Sequence, residues 1–574
     1  MKILGLHVHH NASVCLFDGA DLIFYQQEER LSRHKHAGGY PIHSLVELKK
    51  ITDHLDVVLI SGYNLDYDSS VSVIGYLHNM GFKIEEWFYY FKSHHLSHAF
   101  KAFCSSKFSE SLVVVWDGRG SNYNLSDGSV AYETTSIFHM SYENGVKLVS
   151  KRLYRPNSEH DDVNDLKVIY RSEDYFNNFT SPIKLHEEYY EKILLKAPDI
   201  GKFYETVVGH LGFNSITDCG KLMGLHPYGK ENKVVHDLIY DDIINEFKCD
   251  ILSPDIEKIN VNVEKYKFLE TKKENKENLF DLAYETQKGL EKTGFNIIKK
   301  VLDKNISKNL VLSGGISLNI VSNSYYRKSI PDDINLYVEP LCGDEGNSIG
   351  ITQFYMYDKL KVRPNATDSI YLCGNAPVYN LNLHVSEQIY HDVEYSFIVD
   401  LLLQGNIVSI FQGKSESGPR ALGNRSLLFD PRIKNGKDIV NKIKKREKFR
   451  PFACSVLLEE SHKWFDMTLI KESPYMMYSF DALPGVKDII PSVIHVDNTS
   501  RIQTVTENQN YHYYHLIKEF FRQTNVPILF NTSFNLAGDP IVETIEDALN
   551  TLRKSELEYL YLPEISKLIY IKNK

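Results

Sequence analysis

The chemistry of this sequence starts with two histidines four residues apart in the stretch SHHLSHAFKAF. On a helix, His94 and His98 lie on one face and can hold one metal ion, although such a pair alone is more often a surface or capped pair. Asp117 ends an apolar strand and Asp344 lies in a glycine-flanked loop after another, where carboxylates of neighbouring α/β strands converge. We predict a site for divalent iron, manganese or zinc, and the spacing does not choose among these ions.

A third candidate, His10, follows the first apolar stretch in LGLHVHHNAS. A strand that enters a tight polar hairpin loop can point His10 and Ser13 at a ligand. A neutral histidine in such a loop can act as a general base. A histidine that only hydrogen-bonds within the turn is an equal alternative.

Two glycine turns follow apolar strands, in WDGRGS at 116–121 and in LSGGISLN at 312–319. Glycine allows close backbone approach, and backbone N–H groups at the start of a helix favour phosphate. Neither turn matches the P-loop or GxGxxG patterns. Since α/β proteins need such turns in any case, they are weak evidence for a nucleotide site by themselves.

Cations and amides gather in the C-terminal part of the chain. Arginine in tight Gly/Ser loops such as SESGPRALGNRS is poorly explained by solvation, whereas the stretch 442–448 alone is more often a solvated face. Several arginines with serine and asparagine side chains can bind anionic oxygens, phosphate above all, through bidentate bonds. The residues concerned are Arg420, Arg425, Lys444, Arg446, Arg450, Arg501, Asn531 and Ser533.

The elements that must position these residues read as an α/β fold. Apolar strands such as VVLISG and LVVVWDG alternate with helical stretches. Asp18-Gly19 between two apolar runs predicts a hairpin. Pro364, Pro377 and small polar residues mark a domain boundary near residue 365, and no internal repeat is visible.

The composition excludes several classes of protein. The chain has 574 residues, of which 43% are apolar, so it can form a sizeable core. A net charge of −10 argues against a protein that coats nucleic acid. The seven cysteines form no CxxC pair, which favours reduced thiols. No apolar run of about 18 residues occurs, and MKILGLHVHH does not read as a signal peptide, so we expect a cytoplasmic protein.

These motifs together resemble one family. SESGPRALGNRS, REKFRPFACSV, NTSRIQTV and NTSFN, with HHLSHAFKAF and GGISLN, resemble the O-carbamoyltransferases of the NodU, CmcH and TobZ type. The motifs are long, ordered alike and spread over nearly the whole chain.

The resemblance implies two domains. Residues 1–365 would form an actin-like ATPase (ASKHA) fold that holds a metal, usually iron, and residues 366–574 a YrdC-like α/β domain. The YrdC-like domain would form carbamoyl-adenylate from carbamoyl phosphate and ATP, with Mg²⁺. The N-terminal domain would then transfer the carbamoyl group to an acceptor hydroxyl.

The resemblance also assigns roles to residues. His10 matches the family's base for the acceptor hydroxyl, but Asn11 stands where the family usually has aspartate, so the role of that carboxylate is open. Asp218 is assigned to the transfer site. The implied metal ligands are His94, His98, Asp117 and Asp344. The implied nucleotide-binding residues of the N-terminal domain are Lys221, Gly314, Gly315 and Asn319. The residues implied to hold carbamoyl phosphate and ATP are Arg420, Lys444, Arg450, Arg501, Asn531 and Ser533.

Two other functions compete with this one. An enzyme of tRNA threonylcarbamoylation uses related domains, but the acidic charge weighs against a tRNA substrate. A nucleotide-switched binding protein of the actin or chaperone type needs the glycine turns but has no use for the metal set. The expected partners are carbamoyl phosphate, ATP and a natural-product or sugar acceptor that draws on residues 123–215, without nucleic acid or membrane. The acceptor's identity and the choice between monomer and homodimer stay open.

Overall fold

The computed structural model describes residues 1–62, 67–90, 94–155, 168–169, 191–195, 199–242, 246–247, 273–366, 369–381, 383–384 and 387–572. The chain divides into two compact units. The first comprises Met1–Glu28 and His36–Asp368, and the second comprises Glu29–Lys35 and Ser369–Lys574. The short segment Glu29–Lys35 therefore belongs to the second unit, although it lies near the N-terminus of the chain. The domains predicted from the sequence are continuous stretches, and the prediction does not include this segment in the C-terminal one.

The first sheet of the first unit begins with the predicted hairpin, which is confirmed. Its strands are β1 Lys2–His7, β2 Ser13–Asp18, β3 Asp21–Gln27, β4 His54–Ser61 and β5 Lys83–Tyr89, in the order β3-β2-β1-β4-β5. β2 is antiparallel to both β1 and β3, whereas β1, β4 and β5 are parallel. β1 is buried over nearly its whole length, as expected for a strand whose two faces are both covered.

The second sheet of this unit repeats that arrangement. Its strands are β6 Glu110–Trp116, β7 Asn122–Leu125, β8 Val130–Ser141, β9 Gly145–Tyr154, β10 Val168–Ile169, β11 Glu191–Leu195, β14 Asn309–Ser313 and β15 Asn335–Val338. β9, β8 and β6 are successively antiparallel, and β6, β14 and β15 are parallel. The strand directions of the first sheet thus recur in the order β9-β8-β6-β14-β15, although the sequence shows no repeat.

Helices of the first unit surround these sheets, with a small pair of strands beside them. They are α1 Glu28–Ser32, which crosses into the second unit, α2 Ile42–Lys49, α3 Tyr67–Asn79, α4 His94–Ser106, α5 Ile200–His210, α6 Cys219–Leu225, α7 Lys233–Ile239, α8 Lys273–Leu302, α9 Ile320–Ser329 and α10 Asn347–Tyr355, with β12 Tyr240–Asp241 and β13 Glu246–Phe247.

Two glycines let α10 pack tightly between β1 and α4. A Cβ on Gly5 of β1 would lie 2.2 Å from Thr352 Oγ1, and a Cβ on Gly350 would lie 1.9 Å from the Ser97 carbonyl of α4. Because real side chains do not come this close, both positions require glycine. This packing sets the distance between α4 and the segment that leads into α10.

The second unit is a mixed sheet with helices packed against it. Its strands are β16 Glu387–Tyr390, β17 Val408–Phe411, β18 Arg425–Phe429, β19 Ala453–Leu457, β20 Ser479–Asp481, β21 Thr499–Val505, β22 Ile528–Ser533, β23 Tyr559–Leu562 and β24 Lys567–Ile571, in the order β16-β24-β23-β17-β18-β22-β19-β21-β20. Its helices are α11 Tyr395–Leu403, α12 Gly436–Ile443, α13 Leu458–Ser461, α14 Val486–Ile489, α15 Tyr511–Thr524 and α16 Ile545–Arg553. Apolar residues of sheet and helices form one core, for example Ile398, Phe530 and Leu549.

Both units are therefore mixed α/β structures, as the sequence predicts. Among the described residues, no helix is both long and apolar enough to span a bilayer.

Candidate active site

The four side chains expected to bind metal come together in the first unit. His94 and His98 lie one turn apart on α4, Asp117 directly follows β6, and Asp344 opens a short 3₁₀ helix after β15. One ligand atom from each residue lies within 4.8 Å of every other. His94 Nε2 is 3.2 Å from Asp117 Oδ2 and 3.5 Å from Asp344 Oδ1. His98 Nε2 is 3.7 Å and 3.2 Å from the same two oxygens.

These separations fit a divalent metal ion. Ligand atoms bound about 2.1 Å from one ion in a tetrahedral arrangement lie about 3.4 Å from one another. The four nitrogen–oxygen distances in the cluster bracket that value. The donor set of two imidazoles and two carboxylates suits iron, manganese or zinc.

The charges in this cluster also favour a cation. Burial opposes protonation of His94, but Asp344 and Asp117 raise its pKa to about 9. Burial opposes ionisation of Asp344, yet His94 and His98 hold the pKa of that carboxyl far below its ordinary value. The metal-free cluster therefore carries a proton on His94 at neutral pH, and a metal ion would displace it.

The second glycine turn packs directly against the end of β6. Gly314 has φ +87°, and a Cβ there would lie 2.1 Å from the Trp116 carbonyl oxygen. A Cβ on Gly315 would lie 3.1 Å from Asp117 Oδ1. These two predicted nucleotide residues thus lie beside a metal-ligand candidate and leave its carboxylate accessible from that side.

Glu205 on α5 is a further acidic residue at this place that the sequence analysis missed. A Cβ on Gly118 would lie 2.0 Å from Glu205 Oε1, so the carboxyl occupies the space that Gly118 leaves open. Burial raises the pKa of Glu205, and Asp117 and Asp344 add to the rise against the opposing effect of Lys202. Its contact with Gly118 and the effect of Asp117 and Asp344 on its pKa reveal it, because nothing in the helix sequence distinguishes it from a surface glutamate.

Two further buried side chains lie beside the ligand candidates. Asn347 Nδ2 at the start of α10 is 3.3 Å from His98 Nε2, the same ring nitrogen that faces the two aspartates, so bound metal would replace this contact. His7 at the end of β1 is fully buried, with Nε2 3.9 Å from Asp344 Oδ2.

His10 lies in the turn between β1 and β2. Its ring is half-buried and stacks on His36, with ring centroids 5.2 Å apart and planes 9° apart. His10 Nε2 is buried and has no hydrogen-bond partner among the described residues. The prediction that Ser13 points at a ligand is wrong, because Ser13 is fully buried and donates to Ser348 Oγ at 2.8 Å.

Asp218 and Lys221 form an ion pair at 3.0 Å near the start of α6. Asp218 also accepts from the Asn214 N–H at 3.1 Å. Asn319 caps α9 through the Ser322 N–H at 3.0 Å and donates to Gln287 Oε1 at 2.9 Å. The Asn319 amide therefore serves the fold with most of its hydrogen-bonding capacity.

The second unit contains a cluster of cations. Lys444 Nζ donates to the Ser533 carbonyl and to Asn535 Oδ1, the latter at 2.9 Å. Burial, together with Arg446, Arg450 and Lys35, holds the pKa of Lys444 well below its ordinary value. Lys35 belongs to the segment counted with this unit, and the sequence analysis did not connect it to these cations.

Arg501 also interacts with these positive charges. Burial and the charges of Arg420, Arg446 and Arg450 hold the pKa of Arg501 well below its ordinary value. Within the described part of the chain, the Arg501 guanidinium makes no hydrogen bond. Arg446, which the resemblance did not assign, is fixed by its stack on Phe452, 4.1 Å from guanidinium carbon to ring centroid.

The loop that carries Arg420 is fixed by Glu416. One carboxylate oxygen of this buried residue accepts from the N–H groups of Leu422, Asn424 and Arg425 at 2.7, 2.8 and 3.1 Å. Arg425 donates to the Gln412 carbonyl at 2.5 Å and the Gly413 carbonyl at 3.0 Å, so it braces the strand ends. Of the two arginines in SESGPRALGNRS, Arg425 thus donates to backbone carbonyls, whereas the charge of Arg420 acts on Arg501.

The predicted amide of this site is also engaged. Asn531 Nδ2 donates to Ser455 Oγ at 2.9 Å and to Gln503 Oε1 at 3.3 Å. Its Oδ1 is buried and has no hydrogen-bond partner among the described residues. Ser533 Oγ donates to Asn535 Oδ1 at 2.6 Å, beside Lys444.

Two family models match the chain in sequence order. Residues 74–352 match the model "Carbamoyltransferase N-terminus" and residues 399–567 match "Carbamoyltransferase C-terminus". The nodulation protein NolNO of Sinorhizobium fredii is 28% identical over 96% of this chain and 78% of that protein. The nodulation protein NolO of Bradyrhizobium diazoefficiens is 30% identical over 63% of this chain and 67% of that protein.

One relative has an activity in its name. The 3'-hydroxymethylcephem-O-carbamoyltransferase of Amycolatopsis lactamdurans is 31% identical over 42% of this chain and 44% of that protein. Among solved structures, full-length HypF in its phosphate- and nucleotide-bound form overlaps 64% of this chain and 56% of that chain, at 13% identity and a TM-score of 0.33, which is too low to define the fold. The two family models and the relatives along the chain place this protein in the carbamoyltransferase family, and it is a transferase enzyme.

Proposed function

We propose that this protein is an ATP-dependent O-carbamoyltransferase. In the second unit, water hydrolyses carbamoyl phosphate to phosphate and carbamate, and the carbamate oxygen attacks the α-phosphorus of ATP to give carbamoyl-adenylate and pyrophosphate. In the first unit, an acceptor hydroxyl attacks the carbamoyl carbon, and AMP leaves. The observation that carries the proposal is the buried Arg501 guanidinium, whose pKa is lowered by burial and by the charges of three further arginines and which no described hydrogen bond engages.

The cation cluster suits two substrates that both carry phosphate. Charges of one sign repel one another in a buried place, and a polyanion removes that repulsion. We assign Arg420, Lys444, Arg450 and Arg501 to the phosphates, with Mg²⁺ bound to ATP. Asn531 and Ser533 on β22 of the same unit are assigned to the same two substrates on the resemblance, and Arg446 joins the cluster as an additional cation.

We assign the transfer step to residues of the first unit. His94, His98, Asp117 and Asp344 would hold the metal, for which we favour Fe²⁺ over Mn²⁺ or Zn²⁺ on the resemblance alone. Bound there, the metal supplies Lewis-acid polarisation of a carbonyl oxygen. His10 Nε2 takes the proton of the acceptor hydroxyl as that oxygen bonds to the carbamoyl carbon.

The fold supports the same division. The two sheets of the first unit share one pattern of strand directions. This repeat is consistent with the actin-like ATPase fold expected for residues 1–365. The assignment of residues 366–574 as YrdC-like rests on the resemblance and the C-terminal family model. Lys221, Gly314, Gly315 and Asn319 are assigned to the adenylate, and Asp218 to the transfer site, on the resemblance.

The acceptor is proposed to be a hydroxyl of a natural product or sugar. The stretch 123–215, expected to shape its pocket, lies outside the described residues at 156–167, 170–190 and 196–198. A cytoplasmic location and the lack of a nucleic-acid partner belong to the same proposal.

The test is a reaction with carbamoyl phosphate, ATP and a panel of hydroxylated acceptors. Pyrophosphate should form only when carbamoyl phosphate is present, and one acceptor should gain the mass of one carbamoyl group. Arg420→Ala should stop pyrophosphate formation, whereas His10→Asn should stop only the transfer. ATP that remains intact in the complete mixture would overturn the proposal.

A further inference from the structure

The candidate base His10 is held by a neighbour that no motif assigns. We propose that His36 is a positioning residue that fixes the ring plane of His10 by stacking on it. This inference rests on the proposed function for its kinetic consequence, but the contact itself does not. It extends the proposed function because it names the residue that orients the base, His10. This chain has Asn11 at the position where the resemblance leads one to expect aspartate.

The orientation of His36 follows from a short hydrogen-bonded chain. Asn11 Nδ2 donates to Glu345 Oε2 at 3.2 Å, and His36 Nδ1 is 2.9 Å from Asn11 Oδ1. Because the amide nitrogen of Asn11 is engaged by Glu345, the amide oxygen of Asn11 faces His36 and accepts from it. His36 must then carry its proton on Nδ1, which fixes both its tautomer and its ring plane.

The backbone at both ends of this bond is unusual. Asn11 has φ +58° and His36 has φ +58°, in the left-handed region that residues other than glycine seldom adopt. Such conformations persist where the surrounding structure determines them, and they concentrate at functional sites. Here one hydrogen bond joins two such residues.

The stack transmits that geometry to His10. The ring planes of His10 and His36 are 9° apart with centroids 5.2 Å apart, a parallel offset arrangement. His10 Nε2 has no described hydrogen-bond partner that could hold the ring from its other end. Glu345 is next to the metal-ligand candidate Asp344, so the chain Glu345–Asn11–His36 ties the plane of His10 to the segment that carries that carboxylate.

Three variants test the stack. His36→Ala removes the ring, His36→Phe keeps a flat ring without the hydrogen bond, and His78→Ala on α3 is the matched control with an exposed histidine. For His36→Ala we expect the kcat of carbamoyl transfer to fall tenfold to a hundredfold, the size of effect that a small misplacement of a catalytic group has. The KM for the acceptor, first-turnover pyrophosphate release and bound metal should match the wild type.

His36→Phe should keep a transfer rate between those of His36→Ala and the wild type, because a flat ring still covers His10 but no hydrogen bond to Asn11 fixes its plane. A kcat of His36→Ala within twofold of the wild type overturns the inference. So does a His36→Phe rate as low as that of His36→Ala, since stacking would then not be the cause. Loss of metal in His36→Ala would also overturn it, because the effect would then run through the metal cluster.

A second measurement does not depend on the proposed reaction. Diethyl pyrocarbonate modifies histidine nitrogens, and peptide mass mapping can follow His10 alone. The rate at His10 should rise severalfold in His36→Ala and stay near the wild-type rate in His36→Phe and His78→Ala. Equal rates in all proteins overturn the stack. A wild type that forms no pyrophosphate refutes the proposed function instead and leaves this comparison valid.

Discussion

Replacing His98 tests the metal cluster most directly. His98 Nε2 lies 3.2 Å from Asp344 Oδ1 and 3.7 Å from Asp117 Oδ2, so it supplies one of four converging donors. Four-ligand zinc sites bind with about 10–16 kcal/mol, or about 2.5–4 kcal/mol per ligand. His98→Ala should therefore weaken metal binding by about 100- to 1,000-fold, since 1.4 kcal/mol is about a tenfold change. Elemental analysis of the purified protein and titration of the metal-free protein with Fe²⁺, Mn²⁺ and Zn²⁺ measure this.

The controls separate a lost ligand from lost packing. His98 is buried, so alanine also leaves a cavity, whereas His98→Gln fills more of the space and is a poorer ligand. Both variants should lose metal, and His98→Gln should melt closer to the wild type. His78→Ala should keep full metal content. Wild-type metal affinity in His98→Ala would refute the ligand assignment.

Three further outcomes follow from the geometry. Since His94 in the metal-free cluster has a pKa of about 9, metal binding must release its proton, so affinity should rise about tenfold per pH unit from pH 7 to 8.5 in buffered titrations; a flat profile would contradict this. Arg501→Gln should abolish carbamoyl-phosphate-dependent pyrophosphate release without lowering the melting temperature. Arg425→Gln should lower the melting temperature by several degrees, because the carbonyls of Gln412 and Gly413 lose their donor. Equal melting shifts in the two variants would argue against a binding role for Arg501 and a structural role for Arg425. Asn11→Asp should slow carbamoyl transfer, because it places a second carboxylate about 3.2 Å from Glu345; a faster transfer rate would show that the Glu345 contact is dispensable.

The metal cluster could be predicted from the sequence because each of its parts has a local signature. A histidine pair at helical spacing and an aspartate at a strand end need no knowledge of distant contacts. Glu205 has no such signature, since it reaches the site from a separate helix, through the open side of Gly118. His36 is similar: its role depends on a stack with a residue of another turn.

Ser13 shows where local reasoning failed. It pairs with His7 in the β1–β2 ladder and its hydroxyl faces α10, where Ser348 accepts its hydrogen bond. The alternation along β2 could have revealed this, because Ser13 shares its face with Cys15, which also contacts Ser348. A small polar residue in a strand is often an inward packing residue, as Ser13 is here.

The repeat of the first unit lies beyond simple sequence comparison for a physical reason. Two sheets can share strand order and direction while their side chains differ, because topology needs only apolar strands of suitable length. β1 reads KILGLH and β6 reads ESLVVVW, which have little in common beyond their apolar character.

The placement of Glu29–Lys35 affects any attempt to divide this gene. Arg30 within that segment is fully buried in the second unit and donates to the Gly418 carbonyl at 2.8 Å. A C-terminal fragment that starts at residue 369 would lack this guanidinium and Lys35 together. Its companion fragment would carry a segment whose natural surroundings are gone. Activity should therefore not be restored by two separately expressed fragments unless Glu29–Lys35 is fused to the C-terminal fragment. A gene cut near residue 369 would not encode two complete units.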